Sequence, residues 1–493
     1  MSPLRPILRR LLLHPRTVCM VDDQRAWTCI ELYIGALHVA RAIARASDRP
    51  HIGLMLPTSG LFPMALLATW MLGRTAVPLN YLLKKDDLEY VINDAELDAV
   101  VTVKPMLEFV GGDAGPDAAL HANIRTITLD EMKFKGFPPL RLARHMRNDD
   151  LAVLLYTSGT SGRPKGVMLT AGNLSANVRQ CVEWVGFSIN DTLLGVLPQF
   201  HSFGLTVLTL LPLSVGAKVV FTARFNPRKI LKLMREHRPT AFIAIPSMLA
   251  ALLHAKSADA DHFKSIKYLV SGGEPLPEAI FQGYRERFGA TINEGYGLTE
   301  TSPVANWSRP HEYRHKSVGK PVPHMDEIIV DADGRRLPAN QDGEIRMRGP
   351  NVMKGYYRLP EATAATFDEH GYFRTGDMGR FDDEGFLYIT GRIKEMLIIG
   401  GENVFPREIE EVLDKHPSVA ASAVIGVMDE SRGEVAVAFV ELKEGAAFDE
   451  VSLRKFCREH LAQFKVPRDI RHIDKLPRNP TGKIVRRELK GRV

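Results

Sequence analysis

The chain has 493 residues, 45% hydrophobic and 25% charged, which is enough material and the right balance for a large globular core. No apolar run approaches the ~20 residues of a membrane-spanning helix, and Cys19, Cys29, Cys181 and Cys457 are too scattered for a metal or redox motif. The net charge of +6 is a weak pointer to anionic ligands; no nucleic-acid partner is expected, and reduced thiols suit a cytoplasmic setting.

The opening stretch, LRPILRRLLLHPR, mixes basic and apolar residues. It reads as an ordinary first helix, with a peripheral membrane foot as the alternative. Residues 51–80 then give a strand, an amphipathic helix over 61–72, Gly73 and a second strand. A helix over 85–94 and a strand over 99–103 follow. The pattern recurs: strand 193–198, helix 202–215, Gly216, the strand AKVVF, helix 226–237 and the strand TAFIAIP. Strands alternating with helices predict parallel, doubly wound sheets, with ligands beyond the strands' carboxyl ends. From about 318 to 388, short β segments with Gly-Asp turns predict a small antiparallel barrel or sheet. A compact α+β tail with an amphipathic helix over 450–461 ends the chain. The fold class is therefore α/β. Residues 1–391 form a large N-terminal domain of two related doubly wound α/β subdomains plus a small β-barrel. Residues 392–493 form a small α+β C-terminal domain.

The densest signal is LLYTSGTSGRPKGVMLT, where an apolar strand breaks into Thr157, Ser158, Gly159, Thr160, Ser161 and Gly162, then Lys165. Glycines let backbone N–H groups face an anion, hydroxyls add donors, and a lysine adds mobile charge. That composition suits a polyphosphate cradle, and a plain Ser/Gly surface turn is the alternative. A Walker A loop is excluded, because Pro164 precedes the lysine and Gly166 stands where Ser or Thr must follow it.

Further on, Gly272, Gly273 and Glu274 follow the strand KYLV, offering either a flat backbone for a purine or a simple turn. In NEGYGLTE, Glu294, Gly295 and Gly297 surround Tyr296, whose ring can present an open face for stacking. Thr299 offers a hydroxyl, and Glu300 is a hard oxygen ligand suited to Mg²⁺ on phosphates. Asp377, in RTGDMG, can accept both hydroxyls of a ribose or merely cap a turn. Gly400 and Gly401 mark a tight turn or a close backbone approach. Lys483 stands at the Thr-Gly turn of PRNPTGK, and His201 lies in QFHSFG.

In this order the motifs resemble the adenylate-forming (acyl-CoA synthetase, AMP-binding) superfamily, over essentially the whole chain. The look is nearest to bacterial fatty-acyl-CoA ligases and acyl-carrier-protein synthetase domains. The resemblance implies an acid–thiol ligase using ATP, Mg²⁺ and CoA. Tyr296 would then stack on adenine, Thr299 contact the α-phosphate and Glu300 hold the metal. Asp377, with Arg392 beside it, would hold the ribose, and Lys165 with its loop the outer phosphates. Lys483 would serve adenylation, and His201 would border the acyl site. The small domain would be mobile about Lys394, bringing Gly400 and Gly401 to the thiol tunnel. No cation precedes Tyr296, which disfavours malonate-type acids, and the likeness of the string 294–300 and of the tail KFCREHLAQFKVPRDI to bacterial fatty-acyl-CoA synthetases implies a medium- to long-chain fatty acid. An aryl acid, a carrier-protein acceptor, or a nucleotide-binding regulatory protein are the alternatives. Monomer and homodimer both stay open.

Overall fold

The computed structural model describes residues 3–116, 120–121, 123–134, 136, 138, 143–157, 163–399, 402–429, 433–478 and 484–492. It is a mixed α/β structure with a large N-terminal domain and a smaller C-terminal one.

Two large sheets carry the first domain. The seven-stranded sheet has a parallel centre of Leu151–Thr157, Thr75–Pro78, His51–Met55, Ala99–Thr102 and Arg125–Thr128. The strand Lys165–Thr170 adds to Leu151–Thr157 antiparallel, and the two-residue strand Gly355–Tyr356 closes that edge. In the nine-stranded sheet, Val18–Val21, Lys218–Phe221, Thr192–Gly195, Ala241–Ala244, Tyr268–Gly272 and Asn293–Gly297 run parallel in that spatial order. Val304–Trp307 and Lys320–Pro321 extend it antiparallel.

The helix expected to be amphipathic over 61–72 forms over Leu61–Met71 but is not amphipathic: it is buried on almost every side. Its sequence LFPMALLATWM has no polar face, as a helix between packed layers requires. The helix Cys29–Ala46 beside it starts at a capping box, Thr28 with Glu31. The expected helix over 202–215 forms, but five of its residues, Thr206–Leu210, wind as a π turn. The opening helix, Leu4–Leu13, buries Leu4, Ile7 and Leu11 in the main core and leaves Leu12 and Leu13 exposed. Among the described residues no helix is long and apolar enough to cross a membrane.

Of the barrel or sheet expected after 318, the described pairings form a sheet. Its antiparallel order is Asp326–Val330, Gly343–Arg348, Phe373–Phe381, Leu387–Arg392. Two short segments of that stretch, Lys320–Pro321 and Gly355–Tyr356, join the large sheets instead. A 3-10 turn, Ile393–Glu395, leads on to the last sheet. There Glu402–Val404, Leu397–Ile399, Gly433–Leu442 and Val419–Asp429 are antiparallel, and Asp469–His472 runs parallel to Gly433–Leu442. The helices Pro406–Leu413 and Glu450–His460 pack on it through Ile409, Leu413, Leu453 and Cys457.

Candidate active site

The site grows from two neighbouring strand ends of the nine-stranded sheet. Tyr268–Gly272 and Asn293–Gly297 pair in parallel with Ser271 opposite Glu294 and Gly272 opposite Gly295. Both motifs therefore leave the sheet side by side at its carboxyl edge, where α/β sheets bind ligands. Gly273 turns the first strand away at φ +86°, a left-handed conformation that glycine adopts freely. On the second strand a Cβ at Gly297 would lie 1.8 Å from the Pro303 carbonyl oxygen. Only glycine lets the chain fold back there into the single turn Thr299–Thr301, which presents Glu300.

Tyr296, Asp377 and Arg392 form one cluster. The strands Phe373–Phe381 and Leu387–Arg392 place Asp377 opposite Arg392. Arg392 Nε lies 3.0 Å from Asp377 Oδ1, and the Tyr296 hydroxyl donates to Asp377 Oδ2 at 2.5 Å. The backbone N–H of Asp377 donates to Thr375 Oγ1 at 3.0 Å. The carboxylate is thus almost fully buried yet answered by a cation. Burial and the adjacent carboxylate push the Tyr296 phenol far above its ordinary range, so it stays a donor.

Lys165, Tyr356 and Glu300 form a second cluster. Thr157 and Lys165 are opposite each other where two strands meet. Lys165 Nζ sits 5.0 Å from the centre of the Tyr356 ring, a cation over an aromatic face. The Tyr356 hydroxyl donates to Glu300 Oε1 at 2.9 Å. Burial raises the Glu300 carboxyl above its ordinary value. An acid whose ionised form is disfavoured by burial gains most from a nearby cation. Among the described residues no group of three or more His, Cys, Asp or Glu could hold a metal. Magnesium on a nucleotide is bound by one or two carboxylates with substrate phosphates supplying the rest. Glu300 fits that part.

Other expected residues are placed as follows. Thr299 is buried, with its hydroxyl 3.3 Å from that of Ser202. His201 caps the helix start at Ser202, its Nδ1 accepting from the Phe203 N–H at 3.4 Å. Phe200 beside it stands edge-on to Tyr81 at 4.9 Å. Glu294 is half-buried; desolvation pushes its carboxyl up to about 7, partly offset by the charge of Arg407. Lys394 lies in the turn Ile393–Glu395. Ser158, Gly159, Thr160, Ser161, Gly162, Gly400, Gly401 and Lys483 lie outside the described residues. Three residues beyond Lys483, Arg486 reaches Glu395 at 3.0 Å and Glu410 at 2.8 Å.

Tyr356, which links Lys165 to Glu300, went unread in the sequence. A two-residue strand has no alternation to detect, and the one hint is an aromatic pair after Gly355. Thr375 and Arg407 were missed as well.

Residues 9–357 match the family described as AMP-binding enzyme, and residues 408–483 match AMP-binding enzyme C-terminal domain. The long-chain-fatty-acid–CoA ligase of Bacillus subtilis (strain 168) is 35% identical over 479 residues, covering 89% of this chain and 84% of that one. ATP-bound MatB from Rhodopseudomonas palustris superposes with a TM-score of 0.91 at 30% identity, over 100% of this chain and 99% of that one. The apo form of the same MatB gives 0.81 over the same coverage. The o-succinylbenzoate coenzyme A synthetase of B. subtilis, with ATP and magnesium, gives 0.88 at 31% identity, over 98% and 99% of the two chains.

Proposed function

The chain belongs to the AMP-binding enzyme family and is an ATP-dependent acid–CoA ligase; from that premise we propose that it activates a medium- to long-chain fatty acid. The observation that carries the site reading is that one short stretch, 296–300, joins both clusters. Tyr296 anchors to Asp377 at one end, and Glu300 meets Tyr356 at the other.

In this reading the Tyr296 ring, fixed by its hydroxyl, gives adenine a stacking face. Each Asp377 oxygen has a second lone pair, so both can accept from ribose hydroxyls while holding Arg392 and Tyr296. Gly272, Gly273 and Glu274 border the base. Lys165, Thr157 and the loop 158–162 hold the outer phosphates. Glu300 would hold magnesium, which when bound neutralises charge on the phosphates. The acid's carboxylate attacks the α-phosphorus, forming acyl-AMP and releasing pyrophosphate. Thr299 and Lys483 stabilise charge developing on the α-phosphate. The boundary between domains falls at 391/392, and the small domain turns about Lys394. Gly400 and Gly401 then line the path by which the CoA thiol attacks the acyl carbonyl and expels AMP.

A fatty acid is supported by the B. subtilis relative and by the absence of a cation at Asn293, Glu294 and Gly295. Phe200 against Tyr81 gives the His201 region an apolar side. The likeness to the o-succinylbenzoate synthetase favours an aryl acid as the second reading. The test is mass spectrometry of reactions with MgATP, CoA and acids from acetate to palmitate, plus aryl acids. Acyl-CoA from the longer fatty acids supports the first reading, and turnover of aryl acids alone replaces it with the second. Acyl-AMP without acyl-CoA would move the acceptor to a carrier protein.

A further inference from the structure

The small domain is fastened to the large one through one face of the helix Pro406–Leu413. Lys316 Nζ of the large domain lies 3.1 Å from Glu411 Oε2. Glu411 Oε1 accepts from Arg407 Nε at 2.9 Å, one helical turn earlier. Arg407 in turn donates to the Ile389 carbonyl oxygen at 2.8 Å, in the last strand of the large domain. Glu411 therefore stands between two cations, one from each domain.

Two features set this apart from a chance surface pair. Lys316 has φ +64°, a left-handed conformation that is uncommon for any residue but glycine. Here a lysine is held in a position that glycine would fill without strain, and its side chain makes the interdomain contact. Second, the charge of Arg407 reaches Glu294, two residues before Tyr296. The docking contact and the candidate nucleotide strand thus share an electrostatic neighbourhood.

We propose that Lys316 and Arg407 are positioning residues that hold the small domain in the placement that runs adenylation. The proposal rests on the two-step reading above. It is supported by the closer superposition on ATP-bound than on apo MatB, 0.91 against 0.81. The Arg407–Glu411 pair lies within one helix, so it travels intact when the small domain turns. Among the described contacts, the Lys316 ion pair and the hydrogen bond to Ile389 have to break, together with the packing of Phe405 on Gly391. That keeps Glu411 paired in either placement and makes the fastening reversible.

The test separates the half-reactions. Acid-dependent pyrophosphate release reports adenylation, and conversion of supplied acyl-AMP and CoA to acyl-CoA reports thioester formation. Lys316→Glu should slow adenylation about five- to tenfold, the scale of a coupling between two states, and leave thioester formation as fast or faster. The double variant Lys316→Glu/Glu411→Lys should recover most of the loss. Lys316→Gly relieves the left-handed lysine, so it should melt no lower than the parent while still slowing adenylation alone. Equal slowing of both halves, or no recovery in the double variant, would overturn the proposal. A parent enzyme that releases no pyrophosphate with any acid would instead sink the ligase reading on which it rests.

Discussion

Asp377 and Glu411 are both carboxylates held by an arginine and one further donor, yet they are built for opposite purposes. The Asp377 side chain is 4% exposed and joins two sheets of the large domain. The Glu411 side chain is 40% exposed and joins two domains. Stripping partners from a buried carboxylate leaves a stranded charge and is expensive; an exposed pair contributes little and water replaces it readily. In the proposed two-step reading the first cluster serves as framework that stays made through the cycle. The second, in the same reading, is a contact made and broken once per cycle.

The largest expected effect comes from breaking the framework cluster. Asp377→Ala leaves Arg392 and the Tyr296 hydroxyl without their acceptor and removes the proposed ribose contact. Adenylation should fall by about a hundredfold or more, and stability by roughly 2 kcal/mol, since Arg392 can turn to water. Pyrophosphate release and thermal unfolding check both.

A third carboxylate sharpens the comparison because, among the described residues, no arginine or lysine pairs with it. Glu327 is buried, with one oxygen accepting from Asn306 Nδ2 at 3.0 Å, and burial raises its carboxyl to about 8. An acid raised on folding supports stability fully below its unfolded value near 4.5, and that support is lost as pH rises to about 8. Glu327→Gln should therefore flatten the pH dependence between about 5 and 8 and stabilise the protein at pH 8.5 by roughly 2–4 kcal/mol. Unfolding curves at several pH values decide it; an unchanged slope would mean the acid is not the source.

Smaller again is Tyr356→Phe, which removes the hydroxyl from Glu300 but keeps the ring under Lys165. A loss of about 1 kcal/mol, close to fivefold in rate, is expected, together with a raised requirement for magnesium. An unchanged magnesium dependence would separate Tyr356 from the metal site. The smallest effect is that of salt. Half-molar NaCl should shift the ratio of the two half-reactions by about twofold, because it screens Lys316–Glu411, and leave the Asp377 cluster's stability unaltered.

Much of this arrangement was legible in the sequence. Long alternating segments marked the parallel sheets, because strands and helices of that length carry clear periods. Tyr296, Asp377, Glu300 and Lys165 were readable because each sits in a string dense with glycines and polar residues. What was hidden depends on partners distant in sequence. Tyr356 meets Glu300 from 56 residues away, on a two-residue strand. Lys316 meets Glu411 across 95 residues, and its left-handed backbone has no signature in the string RHKSVG. The π turn at Thr206–Leu210 sits inside a pattern that reads as continuous helix. The segments Lys320–Pro321 and Gly355–Tyr356 were drawn into larger sheets by edge pairing, which local composition does not encode.

The most direct test of the account is a staged reaction followed by mass spectrometry. The protein is first given MgATP and a fatty acid that it turns over, without CoA, and CoA is added afterwards. The account predicts pyrophosphate and bound acyl-AMP in the first stage, then acyl-CoA and AMP in the second. Formation of ADP and phosphate, with no acyl-AMP, would contradict it.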